Sequence, residues 1–350
     1  MLKLGIIAYA NNSGLGTIAA NFRKHLSLDS QLVIRHPIKG TYDIDISHTF
    51  GDIDATEDQL NEYLDTCKPD VVIIVETPFN FNFFKIMHDR GIKVVLIPMI
   101  DSISVEKFIP YEKYIDLVIN VTEAGQKIYE EQWQGCNING IRLPYPIDTD
   151  YFCPPENTVP EFIFAHSEGA GGAGFRKSTD LVQTAYQQLY YKYKKISISL
   201  TSQRSEQIHS QLKDPVGLTT ITSHELPEAV DLYHRGKIYV CPSRREGLGL
   251  PILEAMACGL PVITTDAPPM NSWFSKDYSL LVKVQTQTDL PYGDIPMYTP
   301  NVFDLMQKME FAYKNPKLME QIGKNNRIII KEKFSWNVLR DTYLAILNKQ

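Results

Sequence analysis

The sequence lacks any long hydrophobic run. Its longest apolar stretches, Val71–Val75 and Val94–Ile100, fall far short of the roughly 20 residues that a membrane-spanning helix needs. No helix is expected to cross a bilayer. Cysteine is scarce and unpatterned: Cys67, Cys136, Cys153, Cys241 and Cys258 are odd in number and never form C-x-x-C. That excludes a disulfide framework and a thiolate zinc site and points to a reducing cytoplasm. The apolar start, MLKLGIIAYANN, ends in two asparagines rather than a small-residue cleavage site, so no signal peptide is expected. Broad positive charge is missing as well. The chain carries 35 basic and 41 acidic side chains for a net charge of −6, and residues 1–150 hold 13 basic against 21 acidic. Wide phosphate affinity comes from clustered Lys and Arg, so nucleic acid is excluded as a partner, and weak or no peripheral membrane contact is expected. The other 200 residues, with 22 basic against 20 acidic, can still hold one small anion locally.

What is present is rhythm. Short β-branched runs at Lys3–Tyr9, Leu32–Arg35, Val71–Val75, Val94–Ile97 and Leu117–Val121 alternate with stretches long enough for helices. This is βαβ patterning, which implies a parallel sheet. The segment Arg142–Pro155 gathers Pro144, Pro146, Pro154 and Pro155 and cannot continue a helix or a central strand, so a domain boundary is placed there. The rhythm restarts at Phe162–Ala165, Ile196–Leu200, Leu218–Thr222, Ile238–Cys241, Val262–Thr265 and Ser279–Val282. Two successive α/β domains follow, closed by a helical tail from Asp304 to Gln350 that is broken at Asn315–Pro316 and near Phe334–Trp336.

The most informative stretch is Lys237–Thr265, KIYVCPSRREGLGLPILEAMACGLPVITT. It reads as strand, loop, helix, strand: Ile238–Cys241, a loop with Gly247 and Gly249, Pro251 in the first helical turn, a helix over Ile252–Cys258, and Gly259 as its C′ residue. The loop therefore lies at the C-terminal edge of a parallel sheet, where open α/β folds bind ligands. Glu246 in the loop and Glu254 in the first helical turn can accept hydrogen bonds from the hydroxyls of one ligand while helix N–H groups attract its anionic part. Such a pairing fits a nucleotide-sugar. Spacing alone fits equally a solvated Glu246 and a Glu254 that complements the helix dipole. A second candidate, Ala165–Asp180, places four glycines in six positions ahead of Arg176 and Lys177. Crowded backbone N–H groups and two cations suit a phosphate, although a flexible solvated loop has the same composition. The third is Tyr9–Thr17, where Gly14 and Gly16 fit either backbone anion donors or a tight turn with positive φ.

Glu246-x7-Glu254 within SRREGLGLPILEAMACGLPV resembles the E-x7-E signature of retaining GT-B glycosyltransferases, especially glycosyltransferase family 4 (glycosyl transferases group 1). Three further segments fall in that family's order. Pro146–Phe152 resembles its interdomain hinge, Phe175-Arg176-Lys177 its phosphate-binding R-K-G, and Phe334-Ser335-Trp336 its C-terminal crossover. The resemblance implies an α/β GT-B architecture of two Rossmann-like domains with a cleft between them. Residues 1–147 would form the acceptor-side domain, joined by a crossover helix over 336–350, and residues 148–335 the nucleotide-sugar-binding domain. It further implies retaining transfer of a hexose-like sugar from a nucleotide-diphosphate sugar to a saccharide or glycan, in polysaccharide or glycoconjugate synthesis in the cytoplasm. By the same resemblance Glu246, Lys177 and Arg176 are catalytic, and Glu254, Gly14, Gly16, Gly247, Leu248, Gly249 and Leu250 bind the donor. The family commonly has an Arg where this chain has Gly171.

Other residues are weaker candidates. Asp101, in Ile97-Pro98-Met99-Ile100-Asp101, stands where family members often have a His, and is a candidate sugar contact or a helix N-cap. Glu123 reads as a capping residue, and His166 and His224 as structural. Tyr186, Tyr190, Tyr191 and Tyr193 cluster around a helix end and read as packing or exposed residues. The D-x-D spellings Asp43-Ile44-Asp45 and Asp52-Ile53-Asp54 fall in an expected surface segment, so no metal and no other cofactor is expected. Alternatives are a GT-B nucleotide-sugar epimerase and a catalytically silent nucleotide-sugar-binding subunit of a glycosyltransferase complex. The sequence specifies no oligomeric state.

Overall fold

The computed structural model describes residues 2–349 apart from 12, 37–43, 77, 103, 134–138, 157–158, 170–172, 203–218, 223–225, 227 and 291–292. The chain divides into two compact units. Unit 1 is Met1–Pro146 with Pro291–Ile295 and Leu339–Gln350; unit 2 is Ile147–Leu290 with Pro296–Val338. The return to unit 1 thus falls inside the final helix, Trp336–Leu347, and the short Pro291–Ile295 excursion has no counterpart in the sequence rhythm.

In unit 1 seven strands form one parallel sheet: β1 (Leu4–Tyr9), β2 (Ser30–Ile34), β3 (Ser47–Gly51), β4 (Val71–Glu76), β5 (Lys93–Pro98), β6 (Leu117–Asn120) and β7 (Asn139–Arg142). Their order is β3-β2-β1-β4-β5-β6-β7, so the direction of winding reverses between β1 and β4. Runs such as Val71–Val75 are apolar without alternation because helices cover both faces of a parallel sheet. Edge strands β3 and β7 were not expected. Their sequences, SHTFG and NGIR, are short and largely polar and carry no apolar run.

Helix Gly14–Leu26 is capped by Ser13, whose Oγ accepts from the Gly16 N–H at 3.2 Å. Helix Glu57–Cys67 begins with a reciprocal Thr56/Gln59 capping box. The end of the final helix is fixed within the same unit: Tyr343 Oη donates to the Pro144 carbonyl at 3.1 Å, and Arg340 Nε to the His25 carbonyl at 2.7 Å.

In unit 2 six parallel strands, β8 (Phe162–Gly169), β9 (Ile198–Ser202), β10 (Thr219–Thr222), β11 (Gly236–Cys241), β12 (Val262–Thr265) and β13 (Leu281–Val282), run in the order β10-β9-β8-β11-β12-β13. Here the winding reverses between β8 and β11. An antiparallel pair, β14 (Val284–Thr288) and β15 (Met297–Pro300), follows; its VQTQT sequence is exposed and gave no strand signal. The core gathers Phe164, Val182, Tyr186, Ile198, Val240, Ile263, Leu305 and Met309. Two contacts fix the elements nearest the β8/β11 reversal. Helix Pro316–Lys333 approaches so closely that a Cβ on Gly323 would lie 2.0 Å from the Gly259 carbonyl oxygen, which requires glycine. At the Pro-rich segment the Ile147 N–H donates to the Phe334 carbonyl at 2.7 Å, and the Trp336 N–H returns to the Ile147 carbonyl at 3.2 Å. No helix among the described residues is long and apolar enough to cross a membrane.

Candidate functional site

The loops that follow β8 and β11 share the point where the strand order of unit 2 reverses, the place where open parallel sheets accept ligands. The first loop carries Arg176 and Lys177 at the end of a short helix, Ala173–Arg176. The second runs from Pro242 to Gly249 and is buried throughout. Between them lies an ion cluster. Lys177 Nζ bonds Glu246 Oε1, and Arg176 Nη1 stands 3.4 Å from Glu246 Oε2. Lys177 and Glu246 are buried, whereas Arg176 is partly exposed. Burial alone would raise the Glu246 pKa, but Lys177 and Arg176 outweigh it and hold the carboxyl below its usual range. The cluster thus brings two cations to one carboxylate.

The loop bearing these cations is itself anchored. Arg244 makes a two-pronged pair with Asp180 at 3.0 and 2.9 Å, packs its guanidinium 4.0 Å from the Phe175 ring centroid, and donates to the Phe175 carbonyl. Its own N–H donates to the Arg176 carbonyl at 2.8 Å. Ser178, next to Lys177, takes φ 57°, a left-handed backbone, at the position where the R-K-G pattern has glycine. Arg244 and Asp180 carry no motif of their own. The signal available in the sequence is a second arginine flanking Glu246, which once buried requires a carboxylate partner.

The site helix is Leu250–Ala257, with Gly249 as its N-cap at φ +79° and Pro251 in its first turn. Gly259 ends it at φ +76°, the left-handed C′ position its sequence implies. Glu254 is the fifth residue of this helix, and no acidic residue occupies the first turn. It is buried and faces inward, so the expectation of a first-turn carboxylate complementing the dipole is corrected. Tyr233 Oη donates to Glu254 Oε2. Burial pushes the Glu254 pKa up to about 7, against the lesser pull of Tyr233 and Lys177. The helix start also offers fewer N–H groups than expected, since the amides of Ile252 and Leu253 both turn back to the Gly249 carbonyl, at 2.9 and 3.3 Å. Gly247 and Leu248 are buried in the loop and Leu250 is half-buried.

Residues 175–290, which hold this ion cluster and the site helix, match the family described as Glycosyl transferases group 1. The chain is 22% identical over 222 residues to an uncharacterized glycosyltransferase of Haemophilus influenzae, covering 62% of this chain and 57% of that one. It is 29% identical over 136 residues to the alpha-D-kanosaminyltransferase of Streptomyces kanamyceticus, covering 39% and 31%. The chain spans about half the length of the first curated relatives it matches. Among solved structures, HepE of Anabaena, crystallised in complex with UDP and glucose, matches with a TM-score of 0.73 at 13% identity, over 100% of both chains. The fold is that of the GT-B glycosyltransferases.

The remaining candidates of this GT-B chain fall elsewhere. Gly14 and Gly16 lie in unit 1 at the start of helix Gly14–Leu26, and neither has positive φ, so the tight-turn reading fails. Gly16 is glycine because a Cβ there would meet the Asn11 carbonyl oxygen at 1.9 Å, while at Gly14 a Cβ would meet nothing within 4 Å among the described residues. The Gly16 amide is taken by the Ser13 cap, which corrects its assignment as an anion donor. Asp101 sits partly buried in the turn after β5 with Ser102 Oγ 3.4 Å away, four residues before the next helical turn at Val105–Lys107, which is not an N-cap position. Glu123 is not the cap of its helix either: Thr122 is, and Glu123 pairs instead with Arg142 at 3.8 Å.

His166 is structural, its ring held by the Val240 carbonyl at 2.7 Å and Thr179 Oγ1 at 2.8 Å. Burial drives its pKa down to about 4, so it stays neutral. Tyr186 is buried and Tyr191 exposed. Asp52–Asp54 is exposed. His224, Gly171 and Asp43 lie outside the described residues.

Proposed function

We propose that this protein is a retaining glycosyltransferase that moves a hexose-like sugar from a nucleotide-diphosphate sugar to a saccharide or glycan acceptor, in cytoplasmic polysaccharide or glycoconjugate synthesis. The observation that carries this reading is the buried Lys177–Glu246 pair with Arg176 beside it, set at the strand-order reversal of unit 2. The match of residues 175–290 to Glycosyl transferases group 1 supports it, and the relatives named glycosyltransferases supply the precedent.

In this reading the bond between the anomeric carbon and the diphosphate oxygen breaks, and the nucleoside diphosphate leaves. Charge grows on that oxygen as the bond breaks, so cations placed there lower the barrier more than they strengthen ground-state binding. Lys177 and Arg176 are those cations, and no metal is invoked. The acceptor oxygen bonds the anomeric carbon on the same face, and its proton passes to the departing diphosphate. Glu246 holds the two cations in place and accepts from hydroxyls of the transferring sugar. Glu254 binds the donor ribose, and Gly247, Leu248, Gly249 and Leu250 line the diphosphate. Unit 1 shapes the acceptor side, with Gly14 towards the donor and Asp101 at a hydroxyl of the transferring sugar.

The test is a mass-spectrometric screen of the purified chain against UDP-, dTDP-, GDP-, ADP- and CDP-sugars with and without saccharide acceptors. Release of a nucleoside diphosphate, and a product with the donor's anomeric configuration, are expected. Turnover of none of the donors, or an inverted product, contradicts the reading; conversion of the donor to its epimer without acceptor would replace it with an isomerase.

A further inference from the structure

We infer that Trp273 is a further ligand-binding residue of this site, its indole N–H donating to a phosphate oxygen of the nucleoside diphosphate held at the start of helix Leu250–Ala257. The inference rests on the proposed donor site and adds to it a residue that the E-x7-E pattern does not contain.

Trp273 follows β12 in a turn segment, and only 6% of its surface is exposed. Its Nε1 is buried without a hydrogen-bond partner among the described residues. A buried N–H left unpaired is unfavourable, and an acceptor oxygen would relieve it. The ring is locked edge-on against Phe334, with centroids 5.4 Å apart and planes at 85°, which fixes where the N–H can reach. It lies beside the helix start: a Cβ built on Gly249 would be 3.5 Å from Trp273 Nε1.

An anion at the helix start finds few backbone donors there. Pro251 has no N–H, Gly249 brings no side chain to cap the helix, and the Ile252 and Leu253 amides are taken by the Gly249 carbonyl. The positive end of the helix dipole remains and favours an anion there. The indole N–H is a donor only and does not titrate, so it selects an acceptor oxygen and answers at every pH. Lys177 and Arg176 supply charge to the diphosphate, and Trp273 supplies a fixed direction.

The indole N–H resonances of the three tryptophans, Trp133, Trp273 and Trp336, decide the matter in ¹⁵N-labelled full-length chain titrated with UDP, dTDP, GDP, ADP and CDP and with the matching nucleosides. Trp273→Phe assigns the Trp273 resonance by its disappearance. That resonance is expected to move downfield with whichever diphosphate binds and to stay still with its nucleoside. Calorimetry is expected to show the Trp273→Phe affinity for the same diphosphate reduced about tenfold, the scale of one lost buried hydrogen bond, with the nucleoside unaffected. An unmoved Trp273 resonance while a diphosphate binds overturns the inference and leaves the proposed function standing. Failure of all five diphosphates to bind the unaltered chain removes both. Should Trp273→Phe not fold, Trp133→Phe and Trp336→Phe assign the remaining resonance by elimination, and the shift still decides.

Discussion

Two loops in this protein are spelled with G-L-G, and they use glycine for different reasons. At Gly14-Leu15-Gly16, in unit 1, the backbone is ordinary helix, and Gly16 is small because the Asn11 carbonyl presses against it. Its amide already serves the Ser13 cap. At Gly247-Leu248-Gly249, in unit 2, Gly249 adopts φ +79° and faces a buried indole N–H. The first spelling closes a helix start against its own chain, and the second sets a left-handed glycine beside a buried indole. A glycine-rich loop at the C-terminal edge of a parallel sheet is therefore no anion site until its amides are accounted for.

The widest separation between the loops is expected from alanine. Gly16→Ala forces a Cβ into backbone that cannot move aside and should destabilise unit 1 by about 3 kcal/mol or more, the upper range for overpacking. Gly249→Ala meets only ordinary contacts, at 3.4 Å to Ile252 and 3.5 Å to Trp273, and adds the strain of its positive φ, about 1 kcal/mol. Denaturant midpoints of the two variants check this, and equal losses would erase the distinction.

Close behind in size is the effect of Lys177→Met on turnover. Removing one charge-assisted contact to a leaving diphosphate is expected to lower turnover on the order of 100-fold, about 2.7 kcal/mol, with nucleoside binding nearly intact. The change also leaves Glu246 buried with the partly exposed Arg176 as its cation and Ser243 as a hydrogen-bond partner. Circular dichroism melts on the same sample separate the stability loss from the catalytic one. Turnover unchanged in a folded variant would dissociate the ion cluster from the chemistry.

Glu254 distinguishes unit 2 by its response to pH. Its folded pKa, raised by burial to about 7, lies above that of an unfolded glutamate, so the folded state holds the proton longer. The stabilisation is complete below the unfolded pKa and is lost as pH rises through 7. Between pH 6 and pH 7 the expected decline is about 1 kcal/mol. Glu254→Gln should flatten it, and a decline that persists in that variant would assign it to another group.

Val71–Val75 and Val94–Ile97 were legible because both faces of these strands are buried, so they read as apolar runs. Edge strands β3, β7 and β14 expose polar side chains and gave no such signal. At the site, Glu246, Glu254, Arg176 and Lys177 were legible because a loop between strand and helix concentrates charge beside glycine. Arg244 with Asp180, 64 residues apart, and Tyr233 with Glu254, 21 apart, were not. No local spacing couples residues brought together only by adjacent strands of the sheet. Glu254 was legible as a residue but misplaced by a turn, because the helix begins at Leu250 rather than Ile252.

The smallest effect is the sharpest test of unit 1. Gly14 has neither of the reasons found elsewhere: its φ is not positive, and an added Cβ would meet nothing within 4 Å among the described residues. Alanine in the first helical turn should raise stability by roughly 0.5 kcal/mol, since glycine in a helix loses more backbone freedom on folding. In the proposed reading a ligand approaches Gly14 closely, and a methyl group would obstruct it without removing the N–H. Gly14→Ala is therefore expected to melt slightly later than the unaltered chain while transferring sugar several-fold more slowly. Later melting with unaltered transfer would show that nothing docks over Gly14, leaving unit 1 without a glycine that serves the reaction.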